Sequence, residues 1–174
     1  MQKPEDFIVK MVSLSGGELV GRVRLQKIAY LLSQTESPDI PKMNWKYHHF
    51  GPYSVDLDNA IDLAKHEKHI VEERRPRKSD GSLYSVFKLN DSAGDGEETD
   101  TKQLEKLIWQ LKNETSVVLE LAATAHWLSE VEKVSDWKRE IKLRKTWKAD
   151  EERLQKALAV LSRLGLPPGE KSTP

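Results

Sequence analysis

Four cations stand within five residues in the stretch ERRPRKSDG, and they are the first group whose type and spacing could do chemistry. They are Arg74, Arg75, Arg77 and Lys78. Asp80-Gly81 is a hairpin-turn signal, which predicts that the four cations lie at the tip of a hairpin between strands 70–73 and 84–89. Such a tip could bind phosphates or an acidic partner. A solvated loop whose charges protect a sheet edge is an equally good interpretation.

The serine and histidine residues do not form a catalytic or metal-binding pattern. Ser54 lacks a nearby base that would complete a triad, so we interpret it as the N-cap of a helix. His48 and His49 are adjacent on a predicted strand and therefore point to opposite faces. His66 and His69 are three residues apart near a helix end, but no HExxH spacing occurs. We therefore predict a protein that is not an enzyme and has no metal and no cofactor.

Composition excludes further classes of protein. The chain has 174 residues, with 28 Lys and Arg against 28 Asp and Glu, and so lacks the excess positive charge of a protein that coats nucleic acid. It contains no cysteine, which excludes disulfides, Cys-ligated zinc and thiol catalysis. No stretch resembles a signal peptide or the ~20 apolar residues of a membrane span. These features predict a soluble cytoplasmic protein that does not enter a membrane.

The elements that must position these groups follow the order helix, helix, strand, helix, hairpin. Apolar residues at helical spacing predict a first helix that ends at Gly16-Gly17 and a second helix over GRVRLQKIAYLL. The aromatic stretch 44–50 predicts a short strand, Gly51-Pro52 predicts a turn, and the apolar face of residues 57–64 predicts a third helix. This order is that of a winged helix-turn-helix module.

A polar stretch, NDSAGDGEETDTK at residues 90–102, divides the chain. Three apolar stripes at helical spacing follow it, and Gly165 ends the last one. We predict an α+β, mainly α fold: a winged-helix-like N-terminal lobe with a small β-hairpin, followed by an all-helical C-terminal lobe. The predicted divisions are a winged-helix-like lobe at 1–90, an acidic linker at 91–102, a helical lobe at 103–165 and a disordered tail at 166–174.

The segments RVRLQKIAYLL and YHHFGPYSVDL together resemble the YwgA-type proteins. More distantly, they are similar to the Panacea (SocA-like) domain of bacterial antitoxins and phage-associated proteins. The matching residues are Leu25, Gln26, Lys27, Tyr30, Gly51, Pro52, Tyr53 and Ser54. The later segment LELAATAHWL also resembles a helix of such proteins. The resemblance implies a winged-helix-like lobe plus helices, no known catalytic centre, and a role in regulation or toxin neutralisation.

Within this motif the turn has a plain structural interpretation. Gly51 permits unusual dihedral angles, Pro52 stiffens the turn, and Tyr53 packs over the LQK helix. The helix that follows would occupy the recognition position of a winged helix, yet its first half carries Asp56, Asp58 and Asp62. Carboxylates are repelled by DNA phosphates, so this helix suits a protein partner better than a base sequence.

The remaining signals leave two interpretations open. Four of the five tryptophans lie in the helical lobe, where core packing is the simpler interpretation and a groove for a partner is the other. KREIKLRK at 138–145 is a second basic patch. We therefore expect a non-catalytic regulatory or interaction protein, antitoxin- or adaptor-like, that binds a protein partner such as a toxin, a protease or a regulator through both lobes. The alternative is a winged-helix DNA-binding transcriptional regulator.

Overall fold

A computed structural model describes residues 2–91 and 101–169 of this chain. Most of these residues are helical, and the strands form small antiparallel sheets. This confirms the expectation of a mainly helical protein with a small antiparallel sheet. The winged-helix arrangement of the first half stays a prediction.

The first half of the chain alternates helices with short strands. Its elements are α1 (Pro4–Leu14), β1 (Glu18–Val20), α2 (Arg22–Ser33), β2 (Lys46–His48), β3 (Gly51–Tyr53), α3 (Val55–His66), β4 (Ile70–Pro76) and β5 (Leu83–Leu89). The helices follow the predicted apolar stripes, and their buried faces pack α1 against α3. β1 was not predicted, because a strand of three residues is too short to show an alternating pattern.

Among the described residues, one sheet has the strand order β1-β5-β4, with both pairings antiparallel. In β1 and β5, Leu19 lies opposite Phe87, and both side chains are buried. The predicted hairpin is therefore present, and it is longer than expected. β4 extends to Pro76, so Arg74 and Arg75 belong to a strand while Arg77 and Lys78 lie in the turn.

The second pairing, β2 with β3, corrects the prediction of a turn at Gly51-Pro52. His48 lies opposite Gly51 and Tyr47 opposite Pro52, so the chain reverses at His49 and Phe50. Proline fits this position because short strands at a sheet edge do not require every backbone donor. The aromatic stretch predicted as one strand is therefore the first arm of a two-stranded ribbon.

The second half is helical, as predicted. Its elements are α4 (Lys102–Lys112), α5 (Ser116–His126), a π-helical turn (Trp127–Val131), α6 (Trp137–Lys145), a 3₁₀ turn (Thr146–Ala149) and α7 (Glu151–Leu164). The side chains of Thr115 and Asp150 accept backbone N–H bonds at the starts of α5 and α7. Gly165 ends α7 in the left-handed conformation, at φ +68°, as predicted.

The hydrophobic core is continuous between the two halves. α5 packs against α2 on one side and against α7 on the other, and α4 packs against α1. Most of the predicted linker lies at residues 92–100, outside the described residues. The predicted disordered tail begins at Leu166, but this side chain is buried against the core and its N–H donates to the Leu161 carbonyl at 2.9 Å. Order therefore extends to Gly169, and the remainder of the tail lies outside the described residues.

Candidate functional site

The LQK helix and the GPYS segment (Gly51–Ser54), which the resemblance singled out separately, are bonded to each other. Gln26 is 2% exposed, and its amide pairs with the backbone of Ser54 in both directions. The Ser54 N–H donates to Oε1 at 3.1 Å, and Nε2 donates to the Ser54 carbonyl at 3.0 Å. A glutamine amide offers both a donor and an acceptor, so it can bond the N–H and the carbonyl of one residue. α2 therefore fixes the start of α3.

Lys27 makes the second bond between these segments. Its Nζ donates to the Pro52 carbonyl at 2.5 Å, and the residue is 1% exposed. Burial lowers the pKa of Lys27 to about 8, an effect that the nearby Glu120 carboxylate opposes and Lys145 reinforces. Leu25 on the same helix is fully buried, as its place in an apolar stripe predicts.

Glu120 is the carboxylate at the centre of a buried charge cluster. It lies on α5, is 3% exposed, and receives Lys145 Nζ at 2.8 Å and Lys148 Nζ at 3.1 Å. Lys145 also donates to the His49 carbonyl at 2.9 Å. We define the buried charge cluster as Lys27, Glu120, Lys145 and Lys148. Because three lysines surround one carboxylate, the cluster has a positive balance.

Gly51 is required here for two physical reasons. Its φ is +86°, a conformation that L side chains rarely adopt, and a Cβ at this position would lie 2.7 Å from Oγ1 of Thr124 on α5. Gly51 therefore adopts the unusual backbone angles that the sequence predicts. Its close approach to Thr124 was not visible in the sequence.

Tyr30 and His126 form a further buried contact between α2 and α5. Their Oη and Nδ1 atoms are 2.8 Å apart. Burial raises the pKa of Tyr30 and lowers that of His126, so both side chains are held neutral near pH 7. His126 is 5% exposed and therefore belongs to the core where α2 meets α5.

The structure adds detail to two predictions for the GPYS segment. Tyr53 is half-buried, and its hydroxyl donates to an Asp58 carboxylate one turn along α3, while its packing over α2 stays a prediction. Ser54 occupies the N-cap position, but its buried hydroxyl makes no hydrogen bond within the described residues. Gln26 instead bonds the backbone N–H and carbonyl of Ser54 itself.

The cations of the predicted hairpin tip differ in their surroundings. Arg75 donates to Glu73 at 2.7 Å and is also close to Glu18. The Arg77 guanidinium lies 5.8 Å from the centroid of the Tyr84 ring. Arg74 and Lys78 are exposed and form no ion pair within residues 2–91 and 101–169. The four cations are thus not one patch, because strand alternation and Glu73 separate them.

Sequence analysis missed Glu120, Lys145, Lys148 and Thr124. One signal could have found Glu120: it is the single charged residue in the apolar run VVLELAATA, and a charge on a buried helix face requires a partner. Within the described part of the chain, no three His, Cys, Asp or Glu side chains are grouped as metal ligands would be. Nor does any described helix combine the length and apolar character that crossing a membrane requires.

Comparison with known proteins identifies two relatives. A DNA ADP-ribosyl glycohydrolase of Thermus aquaticus is 31% identical over 136 residues, which are 75% of this chain and 37% of that protein. The uncharacterized protein YwgA of Bacillus subtilis is 28% identical over 127 residues, which are 71% of this chain and 74% of YwgA. No family model matches the chain. The second relative supports the YwgA-like resemblance, whereas the similarity to the Panacea domain rests on the sequence motifs alone.

The Thermus relative contradicts the prediction that this chain is not an enzyme. Its name is that of an enzyme, although the chain spans little more than a third of its length. The exclusion rested on the lack of a triad and of an HExxH spacing. Those patterns identify only some hydrolases, so their absence from a sequence does not exclude glycosidic-bond chemistry.

Proposed function

We propose that this chain is a regulatory interaction protein, antitoxin- or adaptor-like, that binds a protein partner engaged in DNA modification. The observation that supports this proposal best is the outward face of α3. In the winged-helix arrangement that we propose for the first half, α3 would hold the recognition position. Its solvent-facing residues include one carboxylate and two apolar side chains but no lysine or arginine, which suits a protein better than a phosphate backbone.

The outward face of α3 is a single stripe at helical spacing: Val55, Asn59, Asp62, Leu63 and His66. Val55 is 58% exposed and Leu63 is 39% exposed, so this face presents two apolar side chains to solvent. The Asp62 side chain is 66% exposed. A partner that covers this face would present apolar groups for Val55 and Leu63 and a cation for Asp62.

The name of the Thermus relative indicates the kind of reaction in which such a partner takes part. Its name describes removal of ADP-ribose from DNA, and this chain corresponds to 37% of it. Proteins that act on DNA carry basic surfaces, which complement an exposed aspartate. We therefore propose that the partner is a basic protein that adds or removes a DNA modification.

The test is capture of the partner with the full chain and a binding measurement on the purified pair. Asp62→Arg combined with Leu63→Ala should weaken the complex by about thirtyfold, the effect of losing an interface hot spot. The matched control is Glu152→Arg with Val131→Ala, which makes the same kinds of change at exposed positions away from α3 and should leave affinity unchanged. Equal affinity of wild type and the α3 variant would contradict the proposal.

Removal of ADP-ribose from DNA by this chain itself is the second candidate, and the 31% identity to the Thermus protein favours it. The measurement is release of ADP-ribose from a modified oligonucleotide by the purified chain. Release above a heat-denatured control would establish catalysis. If no ADP-ribose is released, partner binding remains the explanation of the similarity to the Thermus protein.

DNA binding by the proposed winged helix is the third candidate, and it depends on Arg77 and Lys78 in the β4–β5 turn. Both are exposed and could reach phosphates. Arg77→Glu with Lys78→Glu should then abolish binding to duplex DNA, measured by fluorescence anisotropy. Duplex binding that persists in this variant would show that the β4–β5 turn is not the DNA-binding site.

A further inference from the structure

A second exposed surface lies where the β2–β3 turn meets α6 and the 3₁₀ turn. It presents three large apolar side chains: Trp147 is 70% exposed, Leu143 64% and Phe50 51%. Phe50 comes from a distant part of the sequence, and its ring centroid lies 5.1 Å from Nζ of Lys148, the residue after Trp147. The Arg153 guanidinium lies 5.6 Å from the centroid of the Trp147 ring. We call Phe50, Trp147 and Lys148 the aromatic platform.

The segment that leads up to Trp147 and Lys148 is strongly positive although the whole chain has no net charge, and the acidic residues Asp150, Glu151 and Glu152 follow it. Residues 137–148 contain six basic residues and one acidic residue. The acidic residue, Glu140, is bound by Arg144 at 2.8 Å. Lys138 and Arg139 are exposed and pair with no carboxylate among the described residues, and Lys142 is 3.6 Å from Glu151. This segment therefore offers cations to an anionic ligand.

The buried charge cluster adds to the positive potential beneath the platform. Lys145 already neutralises Glu120 at 2.8 Å, so the charge of Lys148 is only partly balanced. The Lys148 side chain is 24% exposed and lies beside the Phe50 ring. A phosphate could thus reach Lys148 while a planar group covers an adjacent aromatic ring.

Backbone strain also marks the position of Trp147. The preceding residue, Thr146, has a φ of +49°, which is a genuine outlier for a β-branched side chain. Such strain is stored where the surrounding structure requires a particular geometry, and it concentrates at functional sites. The buried residues Lys145 and Ala149 hold the backbone on either side, and Trp147 between them is exposed to solvent.

We propose that the aromatic platform and the basic side of α6 bind single-stranded DNA. Unpaired bases expose their faces and can stack on Trp147 and Phe50, while the phosphates lie along Lys138, Arg139 and Lys142. A duplex covers the faces of its bases, so a protruding ring contributes less to its binding. The site is separate from α3 and does not require the protein partner proposed above.

The experiment is fluorescence anisotropy of a labelled oligothymidylate of about 20 nucleotides, titrated with the full chain at roughly 50 and 200 mM salt. Wild type should bind, with affinity falling as salt rises. Trp147→Ala should weaken binding about tenfold, as expected for the loss of one base stack. The matched control is Trp109→Ala, which removes another exposed tryptophan, on α4, and should bind like wild type.

Two further variants locate the phosphates and separate this proposal from the previous one. Lys138→Glu with Arg139→Glu should reduce both the affinity and its salt dependence. Asp62→Arg with Leu63→Ala, on α3, should bind the oligonucleotide at least as tightly as wild type, whatever its effect on a protein partner. Circular dichroism and thermal unfolding would establish that each variant is folded.

Three results would overturn the proposal. The first is no binding of the oligonucleotide by the folded wild type at the lower salt concentration. The second is unchanged affinity of Trp147→Ala. The third is tighter binding of a duplex of equal length that is lost in Arg77→Glu with Lys78→Glu, which would assign DNA binding to the β4–β5 turn instead.

Discussion

Two groups of charged residues in this molecule use the same residue types in different surroundings. The buried charge cluster joins α2, α5, α6 and the 3₁₀ turn, and Glu120 and Lys145 at its centre are less than 5% exposed. The hairpin ion pairs, which we define as Glu18, Glu73, Arg75 and Lys88, lie on the β1-β5-β4 sheet. Their side chains are between 34% and 42% exposed. The distances between paired charges are similar in the two groups: Arg75 is 2.7 Å from Glu73, and Lys145 is 2.8 Å from Glu120.

The comparison teaches that distance alone does not measure what an ion pair contributes. Water screens the hairpin ion pairs and competes for their hydrogen bonds, so each adds little to stability. In the buried charge cluster, removal of Glu120 would leave Lys145 with neither water nor a counterion. The cluster also bonds to the His49 and Pro52 carbonyls, so it holds the GPYS segment against the helical half of the molecule.

The largest expected effect is that of Glu120→Ala. It would leave Lys145 buried without its counterion, and we expect a loss of about 3–5 kcal/mol in the free energy of unfolding, measured by urea denaturation. Glu73→Ala removes the carboxylate of the surface group and should leave the denaturation midpoint nearly unchanged. Similar denaturation midpoints for the two variants would contradict the claim that the buried charge cluster contributes more to stability than the hairpin ion pairs.

Gly51→Ala tests the attachment of the GPYS segment to α5. The positive φ alone costs an alanine about 1–2 kcal/mol, and the new Cβ would also overlap Thr124. Gly17→Ala is the matched control, because Gly17 has a φ of +83° and nothing within 4 Å of the added Cβ. Thermal unfolding should therefore show a larger loss for Gly51→Ala. Equal losses of stability in the two variants would show that α5 moves away from the added Cβ without a cost in free energy.

The pH dependence of Lys27 gives the smallest of the three effects. Its folded pKa of about 8 lies below that of an unfolded lysine, so the unfolded chain binds the proton more strongly. The resulting penalty is complete below pH 8 and is relieved as the pH rises toward 10.5. Wild type should therefore gain about 2 kcal/mol relative to Lys27→Met between roughly pH 7 and 9.5. A constant difference between the two proteins would show that burial does not shift this pKa.

Local patterns predicted the helices and the GPYS motif well, because helical periodicity and glycine signals depend on neighbours in sequence. The apolar stripes predicted after the polar stretch correspond to α4, α5 and α7. Two details of the motif were not predictable. Ser54 is the N-cap residue, as predicted, but its hydroxyl makes no hydrogen bond within the described residues, and Gln26 bonds its backbone. The Tyr53 hydroxyl donates to the Asp58 carboxylate on α3, a bond that the residue spacing does not reveal.

The candidate surfaces depended still more on tertiary structure. The KREIKLRK patch was visible in the sequence, but Phe50 lies almost a hundred residues earlier and joins it only through the packing of the β2–β3 turn on α6. The four cations predicted to share the hairpin tip do not form one surface patch, because Arg75 pairs with Glu73 on the same strand.

By itself, the sequence determined the helical periodicities, the lack of cysteine chemistry, the zero net charge and the motif that resembles YwgA. These properties depend on residue types and on spacings of a few residues. The tertiary structure alone decided which charges are buried, which aromatic rings are exposed and which lysines share Glu120. Those properties depend on contacts between residues far apart in the chain, where the free energy of a charge or a ring is set by the surroundings that packing creates.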